Sequence, residues 1–274
     1  MCYDVQEAYQ KRIKEGMRLG KSKEDINYYI DEYNQRYPDT PIPRLDGGGY
    51  HLTGFSHPQL PVFVFTEENH LELRPMYWGL IPGWCKDAAT ATQLWNRTIN
   101  ARSETMYEKP SFRSAAAKRR GVLLLQSFYE HHHFSGKTYP FNIRLKNDEP
   151  MFVGVLWEEW TDKATGEQRP TFSIVTVEGN PMMAAIHNNP KLKGPRMPLL
   201  LKQDAIDSWL MGNGKDMKDQ VLELCEPFDA AAMTAYPVRP LRGKAYAGDS
   251  PEITQRYDYP ELALDTELME VLEE

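Results

Sequence analysis

The second residue of the chain is Cys2, which directly follows Met1. Initiator methionine is normally removed when the next residue is small, and its removal would give Cys2 a free α-amine beside its thiol. An α-amine titrates near pH ~8 and a cysteine thiol near ~8.5, so both are usable nucleophiles. The amine can attack an aldehyde to give a Schiff base, and the thiol can then close a thiazolidine ring. Taken alone, a cysteine at this position is more often a chance, buried residue.

The other cysteines and the histidines do not indicate metal or disulfide chemistry. Cys2, Cys85 and Cys225 form no CxxC motif and no cysteine–histidine cluster with zinc spacing. Reduced thiols without a disulfide framework are typical of a cytosolic protein. The histidine triplet at 131–133 cannot easily chelate one ion, because adjacent strand residues point to opposite faces. We therefore expect no metal site and no cofactor.

The charge distribution leaves room for a nucleic-acid partner, although the chain is acidic overall. The net charge is −7, which by itself argues against DNA. Between Asn100 and Lys146, however, nine lysines and arginines accompany three acids, a local excess of +6. Six acids and no base lie between Glu261 and Glu274. The centre of the chain could therefore face phosphate, or the basic residues 118–120 could simply form a solvated helix end.

The pattern of apolar residues predicts an α+β fold. Strands are predicted at 61–65, 71–78, 121–129, 139–145, 151–157, 171–177 and 197–201, the first two as a hairpin. Helices are predicted at 4–19 from the spacing of Val5, Tyr9 and Ile13, then around 26–37, at 202–210 and at 215–225. Few βαβ units and peripheral helices favour curved antiparallel or mixed sheets that form a barrel-like core. We expect one domain over 1–274, with a helical insertion at 4–49 and an acidic tail at 261–274.

Five short motifs follow one another along the chain. They are WGLIPGW (78–84), INARSET (99–105), KPSFR (109–113), SFYE (127–130), and IH (186–187) followed by RMP (196–198). With the Met-Cys start, this set resembles the SOS-response-associated peptidase (SRAP) family, whose members crosslink to abasic sites in DNA. The resemblance covers Cys2 and roughly residues 60–240. Each motif alone is a weak signal, whereas all of them in this order are highly specific.

The resemblance implies a catalytic set. Cys2 matches the family's nucleophile, Glu130 its catalytic glutamate and His187 its catalytic histidine. Asn100 would hydrogen-bond near the sugar or the Cys2 amine. Glu130 is suited to moving protons between amine, aldehyde oxygen and solvent. His187, expected to titrate near neutrality, could protonate the sugar oxygen on ring opening. In isolation, Asn100 could be a turn residue, Glu130 a solvent-facing strand residue and His187 a core histidine. Together with the motifs, the functional roles are favoured.

Three further residues are expected to bind DNA. Arg102 would clamp a phosphate with its planar guanidinium, and Glu104 could orient it if the motif is extended. Arg113 is a plausible second phosphate contact. Among the tryptophans and phenylalanines of these motifs we favour Trp84 alone as a surface for base stacking, since most tryptophans in such a domain belong to the core.

Several positions depart from the family pattern. Cys2 is usually followed by Gly-Arg, but here by Tyr3 and Asp4, so the phosphate contact of that arginine is lost or moved. Eight residues separate His187 from Arg196, where the family typically has a much shorter link. These departures bear on DNA affinity and substrate detail more than on the nucleophile.

Three hypotheses follow for the function. In the first, an enzyme traps abasic sites in single-stranded DNA through a thiazolidine at Cys2, and could also remove Met1 itself. In the second, an N-terminal-nucleophile hydrolase acts on amides, with Asn100 as an oxyanion donor. In the third, a DNA-binding module has no chemistry, and its binding survives loss of the Cys2 thiol. The first hypothesis predicts a stable adduct with abasic DNA, whereas the second predicts turnover of an amide.

The same sequence predicts where the protein works and in what state. No apolar run reaches the roughly 18 residues that a membrane span needs, and the start lacks a secretory signal. We therefore expect a cytoplasmic protein without a membrane partner. We also expect a monomer, and the family resemblance implies association with the nucleoid during DNA damage.

Overall fold

The structure is a computed structural model that describes residues 2–8, 23–42, 49–65, 71–211 and 217–273. Strands in these ranges are β1 (Asp4–Glu7), β2 (Leu52–Thr53), β3 (Gln59–Phe65), β4 (Leu71–Trp78), β5 (Asn100–Arg102), β6 (Arg120–Phe134), β7 (Lys137–Leu145), β8 (Met151–Thr161), β9 (Gln168–Glu178), β10 (Arg196–Pro198), β11 (Leu200–Leu201) and β12 (Met233–Pro237). Helices are α1 (Lys23–Arg36), α2 (Ala88–Trp95), α3 (Arg113–Lys118), α4 (Pro181–Ile186), α5 (Ile206–Met211), α6 (Lys218–Glu223) and α7 (Thr266–Glu273).

Five of the strands close into a barrel. The order β8–β9–β4–β3–β6 returns to β8 through a further pairing between β6 and β8. The pair β4–β9 is parallel, whereas the other four pairs of the ring are antiparallel. The prediction of an α+β fold with mixed sheets around a barrel-like core, and helices at its periphery, is therefore confirmed.

Strand β6 connects the barrel to the N-terminal segment. Its first part, Arg120–Leu125, pairs with β8 inside the ring. Its second part leaves the ring and pairs with β1 on one side and β7 on the other. Nearly every residue from Arg120 to Glu130 is buried, which explains why the sequence there is almost continuously apolar. The strand thereby carries Glu130 to the start of the chain.

The predicted helix at 4–19 is wrong at its start, because residues 4–7 form β1. Val5 is completely buried and pairs with Phe128 of β6 and Leu52 of β2. The spacing of four that suggested a helix is a local signal, and here two neighbouring strands satisfy the backbone groups instead. The rest of that helix, 9–22, lies outside the described residues. The proposed insertion at 4–49 therefore begins as a strand of the sheet.

The remaining predicted elements mostly agree with the structure. The hairpin is confirmed as β3 and β4, and α1 covers the second predicted helix with Ile30 and Tyr33 buried. The strand predicted at 197–201 is divided at Leu199, whose N–H donates to the carbonyl of Val175. The helix predicted at 202–210 begins as a 3₁₀ turn, Gln203–Ala205, before α5.

The acidic C-terminal segment packs on the rest of the protein through its apolar residues. Leu262 and Leu268 are buried against the main core, and α7 packs near α4. Within the described residues, we find no helix long and apolar enough to cross a membrane.

A glycine sets the path of the loop that follows β4. Gly79 has a φ of +114°, and a β-carbon there would lie 2.4 Å from Cδ1 of Trp95. Its N–H donates to the carbonyl of Phe172 at 2.7 Å, so the loop leaves the barrel directly beside β9. Only glycine combines this backbone conformation with such close packing.

Candidate active site

Cys2 is held in place by a residue from the centre of the chain. Cys2 lies two residues before the start of β1, and β1 pairs with β2 on one side and β6 on the other. Nδ2 of Asn100 donates a hydrogen bond to the backbone oxygen of Cys2 at 2.8 Å. Asn100 begins β5, which pairs in parallel with β9 of the barrel. The barrel therefore fixes the N-terminal segment, and the Cys2 side chain is completely buried there.

The surroundings of the Cys2 thiol keep it protonated. Burial raises the pKa of this thiol well above its ordinary value, and the nearby carboxyl of Glu130 raises it further. A thiolate is thus disfavoured near neutral pH. The thiol in this environment is a weak first nucleophile, although it can still add to a strongly electrophilic carbon that has already formed beside it.

Glu130 is a buried carboxyl on the outer part of β6. It lies opposite Phe141 of β7, and only 5% of the residue is exposed. Burial raises the pKa of Glu130 to about 7, since the charged form loses its hydration. The carboxyl can therefore both accept and donate a proton near neutrality. The alternative of a solvent-facing strand residue is wrong.

His187 is positioned by a short helix with a strong start signal. Asn180 caps α4 by accepting the N–H of Met183 at 2.9 Å, and Pro181 occupies the first helical turn. Nδ2 of Asn180 also donates to the carbonyl of Phe228 at 2.8 Å, which ties the cap to the rest of the fold. His187 follows directly after α4, and its own N–H donates to Met183.

The hydrogen bonds of His187 determine which ring nitrogen carries the proton. Nδ1 accepts the backbone N–H of Arg196 at 2.9 Å, so a neutral ring must carry its proton on Nε2. Nε2 in turn lies 3.9 Å from Oε2 of Glu130. Burial, with positive neighbours that include Arg196, lowers the pKa of His187 to about 4. The expectation that His187 titrates near neutrality is wrong, and Glu130 is the member of this pair that does so.

Glu104 binds a different arginine from the one expected. Strand β5 ends at Arg102, so Glu104 lies in the following turn. Its carboxylate accepts two hydrogen bonds from Arg196, one of them from Nη2 to Oε2 at 2.9 Å. Nη2 of Arg196 also donates to the carbonyl of Thr176 at 2.7 Å. From the sequence, Arg196 is only a member of the RMP motif, and its position shortly after His187 is the one signal of this role.

The strand that carries Asn100 also carries Arg102. Residues two apart on a strand share a face, so both side chains leave β5 on the side opposite the buried Ala101. Arg102 is exposed. Burial raises the pKa of the half-buried Tyr3, and the positive charge of Arg102 offsets part of this increase. The exposed cation is therefore close to the segment that begins with Cys2.

Comparison with known proteins places these motifs in one family. The model of the SOS response associated peptidase (SRAP) family matches residues 5–244. The chain belongs to the SRAP family. The abasic site processing protein YoqW of Bacillus subtilis is 32% identical over 217 residues, which is 78% of this chain and 90% of that protein. YoaM of the same organism, also named an abasic site processing protein, is 34% identical over 65% of this chain and 73% of its own length.

A solved crystal structure has a similar fold. The crystal structure of a protein from Bacteroides thetaiotaomicron superposes with a TM-score of 0.73 at 27% identity. The match covers 94% of this chain and all of that one. The overall fold is thus shared over almost the whole chain.

Two SRAP motifs meet on an exposed surface. Trp84 is 51% exposed, and its Nε1 donates to the carbonyl of Pro110 at 3.0 Å. Arg113, three residues further on, begins α3 and is exposed. Trp78, by contrast, is completely buried and donates to the carbonyl of Ile99. The DNA-binding roles of Trp84 and Arg113 stay predictions, on a surface where both are accessible.

The histidine triplet after Glu130 has separate contacts. His132 is buried, and its ring contacts the carbonyl of Ala185 and, at 2.8 Å, the carboxylate of Asp265. The backbone of His133 exchanges hydrogen bonds with the side chain of Asn188. Across the described ranges, no group of three histidines, cysteines or acids is arranged to hold a metal ion.

Proposed function

We propose that this SRAP protein traps abasic sites in single-stranded DNA covalently through Cys2, after Met1 has been removed. The proposal rests on one observation above all. The segment that begins with Cys2 is bound by Asn100 and lies beside Glu130, whose carboxyl in turn lies 3.9 Å from His187. The relatives YoqW and YoaM are named abasic site processing proteins, which favours the same substrate.

The first step is the attack of the Cys2 amine on the aldehyde of the open sugar. The raised pKa of the thiol favours the amine as the first nucleophile. Glu130, with a pKa of about 7, takes a proton from the ammonium and returns it to the hydroxyl of the carbinolamine. Loss of that hydroxyl as water gives the iminium ion. The step conserves protons, because the one that leaves nitrogen departs with the water.

The second step closes the ring. The Cys2 thiol adds through sulfur to the iminium carbon, and the electron pair of the C=N bond returns to nitrogen. The thiol proton is transferred to a base, for which Glu130 is again suited by its position and its pKa. The product is a thiazolidine that joins the protein to the sugar without any further reactant. Since each step is reversible, the same groups catalyse release.

His187 serves this chemistry as a neutral hydrogen-bond donor. Its pKa of about 4 means that an imidazolium is scarce near neutrality, and a neutral imidazole is a poor proton donor. The Nε2–H, set by the Arg196 hydrogen bond on Nδ1, can instead stabilise negative charge on the sugar oxygen as the ring opens. Protons would then move through Glu130, and His187 would stabilise the oxygen.

Asn100 is suited to orient the Cys2 amine. Its Nδ2 already binds the Cys2 carbonyl, while its buried Oδ1 has no hydrogen-bond donor within the described residues. A buried acceptor without a donor is costly, so a ligand or a freed amine that donates to it would be favoured. We infer that the α-amine of processed Cys2 supplies this donor.

The test uses a single-stranded oligonucleotide with one abasic site. Purified protein should give a band that resists denaturation and that depends on the aldehyde. A tetrahydrofuran analogue, which lacks the aldehyde, should bind without forming the band. Turnover of simple amides, with no adduct on abasic DNA, would instead favour the hydrolase. If the protein shows neither activity, the hypothesis of a DNA-binding module without chemistry remains.

A further inference from the structure

A second arginine lies beside the N-terminal segment, contributed by the far end of the chain. Nη2 of Arg242 donates to both carboxylate oxygens of Asp4, at 3.2 and 2.9 Å. The Asp4 side chain is 4% exposed, whereas the Arg242 side chain is 60% exposed. The ion pair thus buries its anion and presents its cation to solvent.

Asp4 is a fixed and charged anchor for this cation. His51 Nε2 contacts Oδ1 of Asp4 at 3.1 Å, and the other ring nitrogen of His51 contacts the hydroxyl of Tyr246 at 2.8 Å. Burial opposes ionisation of Asp4, but the His51 hydrogen bond and the charge of Arg242 outweigh it, so the pKa of Asp4 is lowered. The carboxylate therefore holds the guanidinium in one orientation.

The guanidinium keeps donors available for an anion. In the described part of the chain, Nη2 makes both hydrogen bonds of Arg242, and Nε and Nη1 donate to no protein group. A guanidinium offers five N–H donors in a planar arrangement that matches the oxygens of a phosphate. A residue whose orientation is already fixed by an anchor loses little conformational entropy when it binds.

Arg242 binds the side chain of Asp4, while the charge of Arg102 acts on the neighbouring Tyr3. The ladder with β2 continues to Tyr3, whose carbonyl accepts the N–H of Gly54 at 2.8 Å. Neighbouring residues of an extended segment point to opposite faces, and Tyr3 is near Arg102 while Asp4 binds Arg242. A DNA strand that places an abasic sugar at Cys2 has one phosphate on each side of that sugar.

The neighbourhood of Arg242 also reaches β6. His131 directly follows Glu130, and its pKa is lowered by burial first and also by the charge of Arg242. Burial and the Arg242 charge therefore both disfavour the charged form of His131.

We propose that Arg242, held by Asp4, binds a phosphodiester group of the DNA strand next to the abasic nucleotide at Cys2. The inference rests on the proposed function and deepens it, since it names a phosphate contact in addition to the one predicted for Arg102. The basic residue comes from a segment 238 positions away from Asp4 along the chain.

The test compares Arg242→Gln with Arg239→Gln. Arg239 is an exposed arginine of the same segment that stacks on Tyr257 at 4.8 Å, so it is a matched control for loss of one charge. Binding to a tetrahydrofuran-containing single strand is measured over a range of salt concentrations. We expect Arg242→Gln to weaken binding roughly tenfold and to lower the log–log salt slope by about one, while Arg239→Gln changes neither.

A second variant separates phosphate binding from folding. Arg242→Gln leaves the buried Asp4 carboxylate without its cation, which destabilises the fold. Asp4→Asn with Arg242→Gln removes both charges, so it should melt near the wild-type temperature and still bind DNA as weakly as Arg242→Gln. Wild-type affinity and salt slope in either variant would overturn the inference. If the wild-type protein itself binds no single-stranded DNA, the proposed function fails together with it.

Discussion

Oε2 of Glu130 lies 3.9 Å from Nε2 of His187, on the side of the ring opposite the Arg196 N–H that Nδ1 accepts. The two side chains are both buried, and burial acts on them in opposite directions. The pKa of Glu130 is raised to about 7, and the pKa of His187 is lowered to about 4. Near neutrality the histidine is neutral and the carboxyl is the group that gains and loses a proton.

The rate of crosslinking should therefore depend on pH through Glu130. The reactive state holds one proton between Glu130 and the Cys2 amine, so the single-turnover rate should rise as pH passes about 7 and fall again when the amine loses its proton near pH ~8. Glu130→Gln should slow crosslinking by about 10²-fold and abolish the rising limb. Rates measured from pH 5.5 to 9 at saturating DNA test this. If the crosslinking rate of Glu130→Gln still rises with pH near 7, the rise is due to another group.

The stabilities of Glu130→Gln and His187→Gln should change with pH in opposite directions. A raised carboxyl pKa contributes stability that is present below its usual value of 4.5 and is lost as pH rises through about 7. For His187 the unfolded chain binds more protons between about pH 4 and 6.5, so stability rises with pH in that window. The effects partly cancel in the wild type.

Urea unfolding of both variants at pH 4.5 and 7 measures this balance. Glu130→Gln should gain stability with pH and His187→Gln should lose it, each by at most about 3 kcal/mol relative to wild type. Parallel curves for all three proteins would mean that neither side chain titrates with a shifted pKa in the fold.

Loss of the His187 donor should slow the reaction without weakening binding. We expect His187→Ala to reduce the crosslinking rate by about 10²-fold, because the developing charge on the sugar oxygen loses its hydrogen bond. His187→Gln, which retains an N–H donor, should be less affected. Affinity for the tetrahydrofuran analogue should change by less than about 1 kcal/mol. An equal loss of affinity and rate would make His187 structural.

The adduct should require both the thiol of Cys2 and the removal of Met1. Cys2→Ala should bind DNA but give no heat-stable adduct, although borohydride should still trap a Schiff base because the amine remains. Intact mass of the wild-type protein should show loss of Met1. If Cys2→Ala retains Met1 while the wild-type protein, expressed in the same way, has lost it, self-processing is favoured. Active protein that retains Met1 would contradict the thiazolidine.

The exposed arginines of the SRAP motifs should contribute to the salt dependence of binding. Arg102→Ala and Arg113→Ala should each weaken binding to single-stranded DNA and lower the log–log salt slope by about one. Lys163→Ala, on the loop between β8 and β9, is an exposed control for the loss of one charge. Unchanged slopes for both arginine variants would locate the DNA elsewhere.

Local patterns were sufficient where an element is stabilised by its own residues. The strands of the β3–β4 hairpin follow from short apolar runs close together in the sequence, and the helix α1 follows from helical spacing. The segment at 4–7 was predicted incorrectly because Val5 fits the spacing of an apolar helix face as well as it fits a strand. Its strand forms only because β6, more than a hundred residues away in sequence, provides hydrogen-bond partners and buries it.

The sequence by itself determined the family and the fold class, and it predicted Cys2, Asn100, Glu130 and His187 as a catalytic set, because motif order and residue type are properties of the chain. Tertiary structure alone decided what each group can do. Burial and the Arg196 N–H make His187 neutral and Glu130 the titrating group. Partner choice, such as that of Arg242 for Asp4, depends on distances between remote segments, and protonation depends on desolvation, so neither can be deduced from residue spacing.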